Sequence, residues 1–129
     1  MPTPPNPTEG ELTILRVLWS RKTPLTVRDV HAELSKGKDT AYTTVLKMLT
    51  IMADKGLVRR DDSERSHTYL AVDAEPVVQR SLVKDLVRRA FAGSAMTLVQ
   101  RALDDDTASI EELDQIAKLI AQAKAKRKR

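Results

Sequence analysis

The stretch that most constrains the fold spans residues 38–55, KDTAYTTVLKMLTIMADK. Wound at about 100° per residue, it brings its apolar side chains within about 60° of one another: Ala41, Val45, Met48, Leu49 and Met52. The opposite face carries short polar side chains and a cation: Thr40, Thr43, Lys47, Thr50 and Asp54. We expect Asp39 to cap the first turn and Gly56 to end the helix in a left-handed conformation. The sequence therefore predicts a helix of about four turns with one apolar and one polar face.

The polar face of this predicted helix is unusual, because exposed helix faces generally carry glutamate and lysine, which are better helix formers than threonine. Four threonines lie around Lys47 and near Tyr42: Thr40, Thr43, Thr44 and Thr50. Short hydroxyls and a cation let a helix approach a charged groove closely and donate hydrogen bonds to phosphates or base edges. The alternative is that threonine is merely tolerated at solvated positions, and the helix alone does not decide between the two.

Two shorter helical patterns precede this stretch. Thr8 and Glu11 have the spacing of a capping box and open the first helix. Pro24 breaks the chain, and Thr26 with Asp29 then caps a second, shorter helix. A helix, a linker with proline, a short helix, a turn and a longer helix form the layout of a tri-helical helix-turn-helix.

After the threonine-rich helix, the apolar period of about 3.6 is followed by short β-like runs. Two β-like runs, LVRR (57–60) and SHTYL (66–70), flank the polar segment DDSER (61–65). This pattern predicts a β-hairpin, and such a wing can place cations on the DNA backbone beside a recognition helix. The candidates are Arg59, Arg60, Arg65 and His67. The alternatives are that neighbouring aspartates pair with the arginines and that His67 is a neutral surface residue.

The second half of the chain predicts three further apolar helices, separated by Gly93-Ser94 and by the capping pair Ser109 and Glu112. This half has one aromatic residue, Phe91, and cannot bury three apolar helices by itself. Pairing with a second copy would cover them, and folding back onto the first half is the alternative. The last six residues, KAKRKR, are by default a solvated basic tail and at most a source of weak phosphate attraction.

Composition excludes several classes of protein. Without cysteine the chain has no disulfide, thiol nucleophile or thiolate metal site. No nucleophile-base pair, glycine-rich phosphate loop or metal-ligand cluster is visible, so we predict neither an enzyme nor a bound cofactor or metal. The net charge of +4 resides in the tail, since 17 basic residues face 18 acidic ones without its five cations. Lacking a signal peptide and a membrane-spanning run, the sequence predicts a cytoplasmic protein with no membrane contact of its own.

Six segments carry a resemblance to a known family: LTILRVLW (12–19), TVRDVHAEL (26–34), AYTTVLKML (41–49), KGLVRR (55–60), RSHTY (65–69) and FAGSAMTLV (91–99). Together they resemble the penicillinase-repressor family, BlaI and MecI with the copper-responsive CopY relatives. The resemblance implies a dimeric winged-helix repressor that binds double-stranded DNA at a palindromic operator. It also implies that a membrane-bound sensor metalloprotease relieves repression through cleavage of the repressor.

Carried over by position, the resemblance implies two sets of DNA contacts. Three residues would face base edges in the major groove: Thr43, Thr44 and Lys47. Five residues would hold phosphates: Thr26, Arg28, Tyr42, Arg65 and His67. Elementary physics agrees for Thr26 and Arg28, because they begin a predicted helix whose free N–H groups favour an anion.

The sequence departs from the family pattern at three places. The copper-responsive relatives need a cysteine-rich C-terminal hook, which a chain without cysteine cannot form. The Asn-Phe bond cleaved in the β-lactam-responsive relatives corresponds here to Arg101-Ala102, so cleavage by a cognate protease is lost or changes its specificity. Glu64 stands where a glycine often precedes the wing arginine, which weakens or redirects the expected wing contact.

We therefore predict a mainly α fold with a small β-wing, in which an N-terminal winged helix-turn-helix is followed by a helical dimerisation region. The expected division is a disordered leader (1–7), a DNA-binding domain (8–72), a dimerisation domain (73–123) and a basic tail (124–129). The predicted function is sequence-specific repression of transcription by a homodimer on an inverted-repeat operator. One alternative is a winged-helix module for protein interaction without DNA binding, which the near-neutral body permits. Another is a repressor switched by a small ligand, although the dimer helices show no polar cluster for one.

Overall fold

Six helices and three short strands make up the computed structural model, which describes residues 5–128. In chain order they are α1 (Glu9–Arg21), β1 (Leu25–Thr26), α2 (Val27–Leu34), α3 (Tyr42–Lys55), β2 (Val58–Asp61), β3 (Thr68–Ala71), α4 (Glu75–Ala90), α5 (Ala95–Asp104) and α6 (Ile110–Arg127). The first four residues of the predicted leader and the last residue of the predicted basic tail lie outside the described residues. The predicted mainly α fold with a small β-wing is confirmed.

The small sheet is antiparallel and has the strand order β1-β3-β2. Strands β2 and β3 form the predicted hairpin and, with the loop 62–67 between them, are called the wing below. The sequence does not predict β1, because two residues are too few to show a period of two. Leu25 pairs with Tyr69, and Thr26 pairs with Thr68, so β1 ties the wing to the start of α2.

Most of the predicted helix ends are confirmed. Thr8 with Glu11, and Thr26 with Asp29, each form a complete capping box at the starts of α1 and α2. Gly56 ends α3 with φ 85°, a left-handed conformation that costs glycine little because it has no Cβ. These three signals depend only on residues close together in sequence, and they therefore appear in the structure where the sequence places them.

The prediction that Asp39 caps the threonine-rich helix is wrong. Helix α3 begins at Tyr42, its N-cap position is Ala41, and no side-chain hydrogen bond from the described residues caps it. The turn before α3 is held instead by His31, whose Nε2 donates to the carbonyl of Thr40 at 2.7 Å. Asp39 therefore lies two residues before the position from which a carboxylate reaches the free N–H groups of the first turn.

By its internal contacts the chain divides into two compact units after Asp85. In the first unit, α1, α2 and α3 pack with the sheet around one apolar core. Helix α3 contributes Val45, Leu49 and Met52, all fully buried, so these three members of its predicted apolar face are confirmed. The rest of this core consists of Ile14, Leu15, Leu18, Leu25, Val27, Val30, Leu57, Val58 and Tyr69. Burying the apolar face of α3 leaves its threonine-rich face on the surface.

One ion pair ties α1 to α3 within the first unit. Glu11 is only 5% exposed, and its carboxylate accepts from Nζ of Lys55 at 2.7 Å and from the N–H of Thr8 at 2.8 Å. Burial raises the pKa of Glu11, but the hydrogen bonds from Lys55 and Thr8 outweigh burial and hold the pKa below its usual value. The pair therefore fixes the C-terminal end of α3 against the start of α1.

The second unit contains the end of α4 together with α5 and α6, and its described residues include no buried side chain. Ser94 caps α5, and Oγ of Ser109 accepts from the N–H of Glu112 at the start of α6. Several large apolar side chains are exposed, among them Met96 at 77% and Ile110 at 75%. None of the helices between residues 5 and 128 combines the length and the apolar character that a membrane crossing requires.

Candidate nucleic-acid interface

An open groove lies where the start of α2, the start of α3 and the wing come together, and we call it the wing groove. Its volume is about 480 Å³, and nine residues line it: Thr26, Val27, Arg28, Tyr42, Leu46, Arg65, Ser66, His67 and Tyr69. Two arginines, one histidine and four hydroxyls are among these residues, and none of the nine is acidic. The groove therefore offers hydrogen-bond donors and positive charge, which are the groups that bind an oxyanion.

All five residues expected to hold phosphates line the wing groove: Thr26, Arg28, Tyr42, Arg65 and His67. They come from three separated parts of the chain, and the sheet brings these parts together. The three residues expected to face base edges are exposed on α3 and do not line the groove. The structure thus places the expected base contacts on the exposed side of α3 and the expected phosphate contacts in the groove that adjoins the start of this helix.

Thr26 is fixed twice, because it is the last residue of β1 and also the cap of α2. Its Oγ1 accepts from the N–H of Asp29 at 3.1 Å, and its own N–H donates to the Asp29 carboxylate at 3.1 Å. Arg28 lies exposed in the first turn of α2, where the free backbone N–H groups favour a negatively charged partner. The start of α2 therefore supplies a hydroxyl and a guanidinium to the wing groove.

Tyr42 is the first residue of α3 and is oriented by a histidine that the sequence does not single out. Its ring meets the ring of His31 edge to face, with centroids 5.7 Å apart and an interplanar angle of 70°. His31 is held in turn by its hydrogen bond to the carbonyl of Thr40. Nothing local in the sequence predicts this contact between α2 and α3.

Thr43, Thr44 and Lys47 form an exposed strip on α3, which we call the hydroxyl face. Their side chains make no hydrogen bond or ion pair within the described part of the chain. The hydroxyls of Thr40 and Thr50, by contrast, donate to backbone carbonyls of their own segment at 3.2 and 2.9 Å. Of the four threonines that mark this helix in the sequence, Thr43 and Thr44 therefore keep free hydroxyls.

The wing carries carboxylates as well as cations. Oδ1 of Asp62 lies 2.8 Å from Nε of Arg60 and 3.6 Å from Nδ1 of His67. The alternative of an ion-paired arginine is thus confirmed for Arg60. Arg59 and Arg65 are exposed and have no acidic partner among residues 5–128. Arg65 is therefore the wing cation that lines the groove and is free to meet an anion.

Arg101 and Ala102, which correspond to the expected cleavage site, lie inside α5 and are both exposed. The guanidinium of Arg101 pairs with the carboxylate of Asp104. Because the backbone here is helical, a protease needs local unwinding before it can cut. In the described chain no group of three histidine, aspartate or glutamate side chains is placed to hold a metal ion.

Four residues of the wing groove are missing from the set expected from the sequence: Val27, Leu46, Ser66 and Tyr69. Tyr69 follows His67 by two residues in the predicted β-like run 66–70, and residues two apart on a strand face the same side of a sheet. That alternation is the signal that could have placed Tyr69 in the groove. Leu46 follows Tyr42 by one helical turn, so its place on the same side of α3 follows from helix geometry.

Known proteins match both the sequence and the fold. The family model described as penicillinase repressor matches residues 7–122. The chain is 32% identical over 116 residues to the transcriptional regulator BlaI of Mycobacterium tuberculosis, and this match covers 89% of the chain and 83% of that protein. Both comparisons agree with the family that the six sequence segments resemble.

Two solved structures share the fold: the DNA-binding domain of the repressor BlaI, and Bacillus licheniformis BlaI in monomeric form in complex with the blaP half-operator. Each gives a TM-score of 0.51 at 25% identity and covers 60% of this chain and 93% of the solved chain. The family match extends from α1 through most of α6 and so reaches well beyond the 60% shared with these structures. The chain as a whole therefore belongs to the penicillinase repressor family, whose members are transcriptional repressors and not enzymes.

Proposed function

We propose that this protein is a sequence-specific DNA-binding repressor that acts as a homodimer on a palindromic operator. The observation that carries the proposal is the position of the wing groove beside the hydroxyl face on α3. Cations and hydroxyls suited to phosphate adjoin free threonine hydroxyls and a lysine suited to base edges. The relative from Bacillus licheniformis, which was solved on a half-operator, supports the same mode of binding.

In this proposal α3 lies in the major groove and its hydroxyl face reads the bases. Threonine can donate to or accept from a base edge and can contact the thymine methyl group, while lysine donates to the O6 and N7 acceptors of guanine. The wing groove holds the DNA backbone beside that site through Thr26, Arg28, Tyr42, Arg65 and His67. Phosphate contacts fix the register of the helix, and the base contacts then provide specificity.

The homodimer is supported by the apolar side chains that α5 and α6 leave exposed. Met96 and Ile110 are about three-quarters exposed, and Leu119 and Ile120 are at least half exposed. A two-fold interface pairs one patch with its own copy, so a second identical chain is a partner of matching composition. Two copies present two α3 helices, and the operator should then be an inverted repeat with half-sites about one DNA turn apart, or a multiple of it.

Relief of repression is proposed to follow a signal from a membrane-bound sensor metalloprotease that acts on α5. Arginine and alanine replace the Asn-Phe pair, so such a protease must accept Arg101 immediately before the cut. A cut between Arg101 and Ala102 divides the 129-residue chain into pieces of 101 and 28 residues. Intact-protein mass spectrometry of induced cells tests this part, and a chain that stays whole while repression is lifted contradicts it.

Fluorescence anisotropy tests the central proposal. The protein is titrated onto a labelled duplex from upstream of its own gene and onto a shuffled duplex of the same composition. We expect at least about 10³-fold tighter binding to the upstream duplex, with an affinity that falls steeply as salt rises. Equal affinity for both duplexes contradicts sequence-specific binding. A protein-interaction module would bind neither duplex even at low salt.

A further inference from the structure

We propose that the hydroxyl of Tyr69 is a phosphate-binding group at the floor of the wing groove, which holds one backbone phosphate together with its sugar. This assignment rests on the proposed DNA-binding function and extends it, because Tyr69 is not among the contacts that the family resemblance implies. Three observations support the assignment: the burial of Tyr69, the lack of a partner for its hydroxyl and the chemistry of the groove around it.

Tyr69 belongs to β3, the central strand of the sheet, where it pairs with Leu25 of β1 on one side and Arg60 of β2 on the other. It is only 2% exposed and is one of the largest fully buried side chains of the core. It nevertheless lines the wing groove. A side chain that is part of the core and also borders the groove forms the floor of that groove.

The hydroxyl of Tyr69 makes no hydrogen bond to any described residue. Every completely buried polar side-chain atom in the described chain, however, does have a partner. The hydroxyl oxygen must therefore retain some exposed surface, and the groove is the surface that Tyr69 lines. Phenylalanine would fill the same core, so the packing of the ring does not account for the hydroxyl. A bound ligand in the groove accounts for the phenol.

The rest of the wing groove suits an oxyanion. Arg28 and Arg65 supply positive charge, Thr26 and Ser66 supply hydroxyls, and no acidic side chain is among the lining residues of the described chain. Its volume of about 480 Å³ lies within the range of roughly 300–1,000 Å³ for pockets that hold small molecules, so a phosphate fits with its attached sugar. A phenol donates and an ionised phosphate oxygen accepts, and hydrogen bonds to an ionised acceptor are stronger than those between neutral groups.

Tyr69→Phe is the direct test, because it removes one oxygen and leaves the ring in the core. Binding is measured by anisotropy on the upstream duplex and on the shuffled duplex at low salt. We expect the affinity for both duplexes to fall about tenfold, since a hydrogen bond to a charged group is lost. The slope of log affinity against log salt should not change, because no charge is removed. Urea unfolding of the free protein should also be unchanged, because the hydroxyl has no partner in the chain.

Two further variants are measured for comparison with Tyr69→Phe. Ser20→Ala removes a hydroxyl at the end of α1, outside the groove, and should bind both duplexes as the wild type does. Arg65→Ala removes a charged group from the groove and should reduce both the affinity and the salt slope, the slope by about one. Both Tyr69→Phe and Arg65→Ala should therefore lower the affinity for every duplex. Only Arg65→Ala should change the dependence of the affinity on salt.

The possible outcomes separate this assignment from the proposed function. If folded Tyr69→Phe binds both duplexes as tightly as the wild type, or loses affinity for the upstream duplex alone, the assignment is overturned and the proposed function stands. If the wild type binds neither duplex, the proposed function fails and the assignment fails with it. Inorganic phosphate gives a test without a variant: it should shift the Tyr69 ring resonances more than chloride does at equal ionic strength, and equal shifts contradict the assignment.

Discussion

At the scale of single residues, Lys47 and Arg65 are both exposed cations, but they lie on different surfaces of the site. Lys47 belongs to the hydroxyl face, so Lys47→Ala should change which bases the protein tolerates. Arg65 lines the wing groove, so Arg65→Ala should lower the affinity about three- to tenfold on every sequence. Anisotropy on a panel of single-base operator variants, repeated at several salt concentrations, measures both effects.

Arg16→Ala is the matched control for these two variants, because Arg16 is exposed on α1 and does not line the groove. It should bind every duplex of the panel as the wild type does. The docking proposed here is wrong if Lys47→Ala and Arg65→Ala both retain the affinity and the base preferences of the wild type.

Asp62 is a carboxylate among the cations of the wing, where it pairs with Arg60 and lies 3.6 Å from a nitrogen of His67. A phosphate must compete with this carboxylate for both groups. Asp62→Asn should therefore raise the DNA affinity about two- to threefold, since exposed ion pairs are weak and rim charges act mainly on association. Association rates measured by stopped flow at low salt should rise accordingly.

The matched control for Asp62→Asn is Glu64→Gln, which removes one negative charge from the same loop without breaking an ion pair of the described chain. A larger gain for Asp62→Asn than for Glu64→Gln indicates that Arg60 and His67 have been released. Equal gains would mean that only the net charge of the wing matters and would contradict a specific role for Asp62.

At the scale of secondary-structure elements, what the sequence predicts is what local residues decide. The capping boxes of α1 and α2 and the end of α3 at Gly56 each depend on a few neighbouring residues, and all three are present. The start of α3 depends on a contact from another helix, namely the hydrogen bond from His31 to the carbonyl of Thr40. Local sequence therefore suggested Asp39 as the cap, and a tertiary contact decided otherwise.

The wing groove shows the same limit. The resemblance supplied the five expected phosphate contacts, and the structure brings them together, although their roles remain predictions. Strand β1 exists only because Leu25 and Thr26 pair with β3, and two residues cannot show that pairing by themselves. Alternation along the predicted strand 66–70 places Tyr69 on the side of His67, but without β1 it gives no reason to place Tyr69 beside the start of α2. The side of the sheet that carries Tyr69 was thus predictable from the sequence, and its position beside α2 was not.

The tie between α1 and α3 gives a prediction about stability and pH. Glu11→Gln should lower the free energy of unfolding by about 2 kcal/mol at pH 7, because it weakens a partly buried hydrogen bond to a charged group. The native pKa of Glu11 lies below its ordinary value of 4.5, since the hydrogen bonds from Lys55 and Thr8 outweigh the burial that raises it. The stabilisation is therefore present above pH 4.5 and is lost as the pH falls through the native pKa.

Urea unfolding at pH 7 and at a series of lower pH values measures this difference. The gap between the wild type and Glu11→Gln should be widest at pH 7 and should narrow below pH 4.5. Glu9→Gln, in the same turn of α1 but exposed, should unfold like the wild type throughout. A gap between the wild type and Glu11→Gln that stays constant with pH would rule out the ion pair as its source.

At the scale of the whole molecule, the positive charge is not spread evenly along the chain. Without the five cations of residues 124–129, the chain has 17 basic and 18 acidic residues, so its body has no net attraction for DNA. Binding must therefore depend on where cations stand in the wing groove and on the hydroxyl face. One copy offers a small patch of such groups, and the proposed homodimer would double it.

The central claim is that the hydroxyl face is presented twice, about a two-fold axis, to one DNA duplex. Hydroxyl-radical footprinting on the DNA upstream of the gene tests this most directly. We expect two protected patches of equal length over an inverted repeat, with centres about 10 base pairs apart or a multiple of that distance. A single unsymmetrical patch at saturating protein, or protection that ignores the sequence, would contradict the claim.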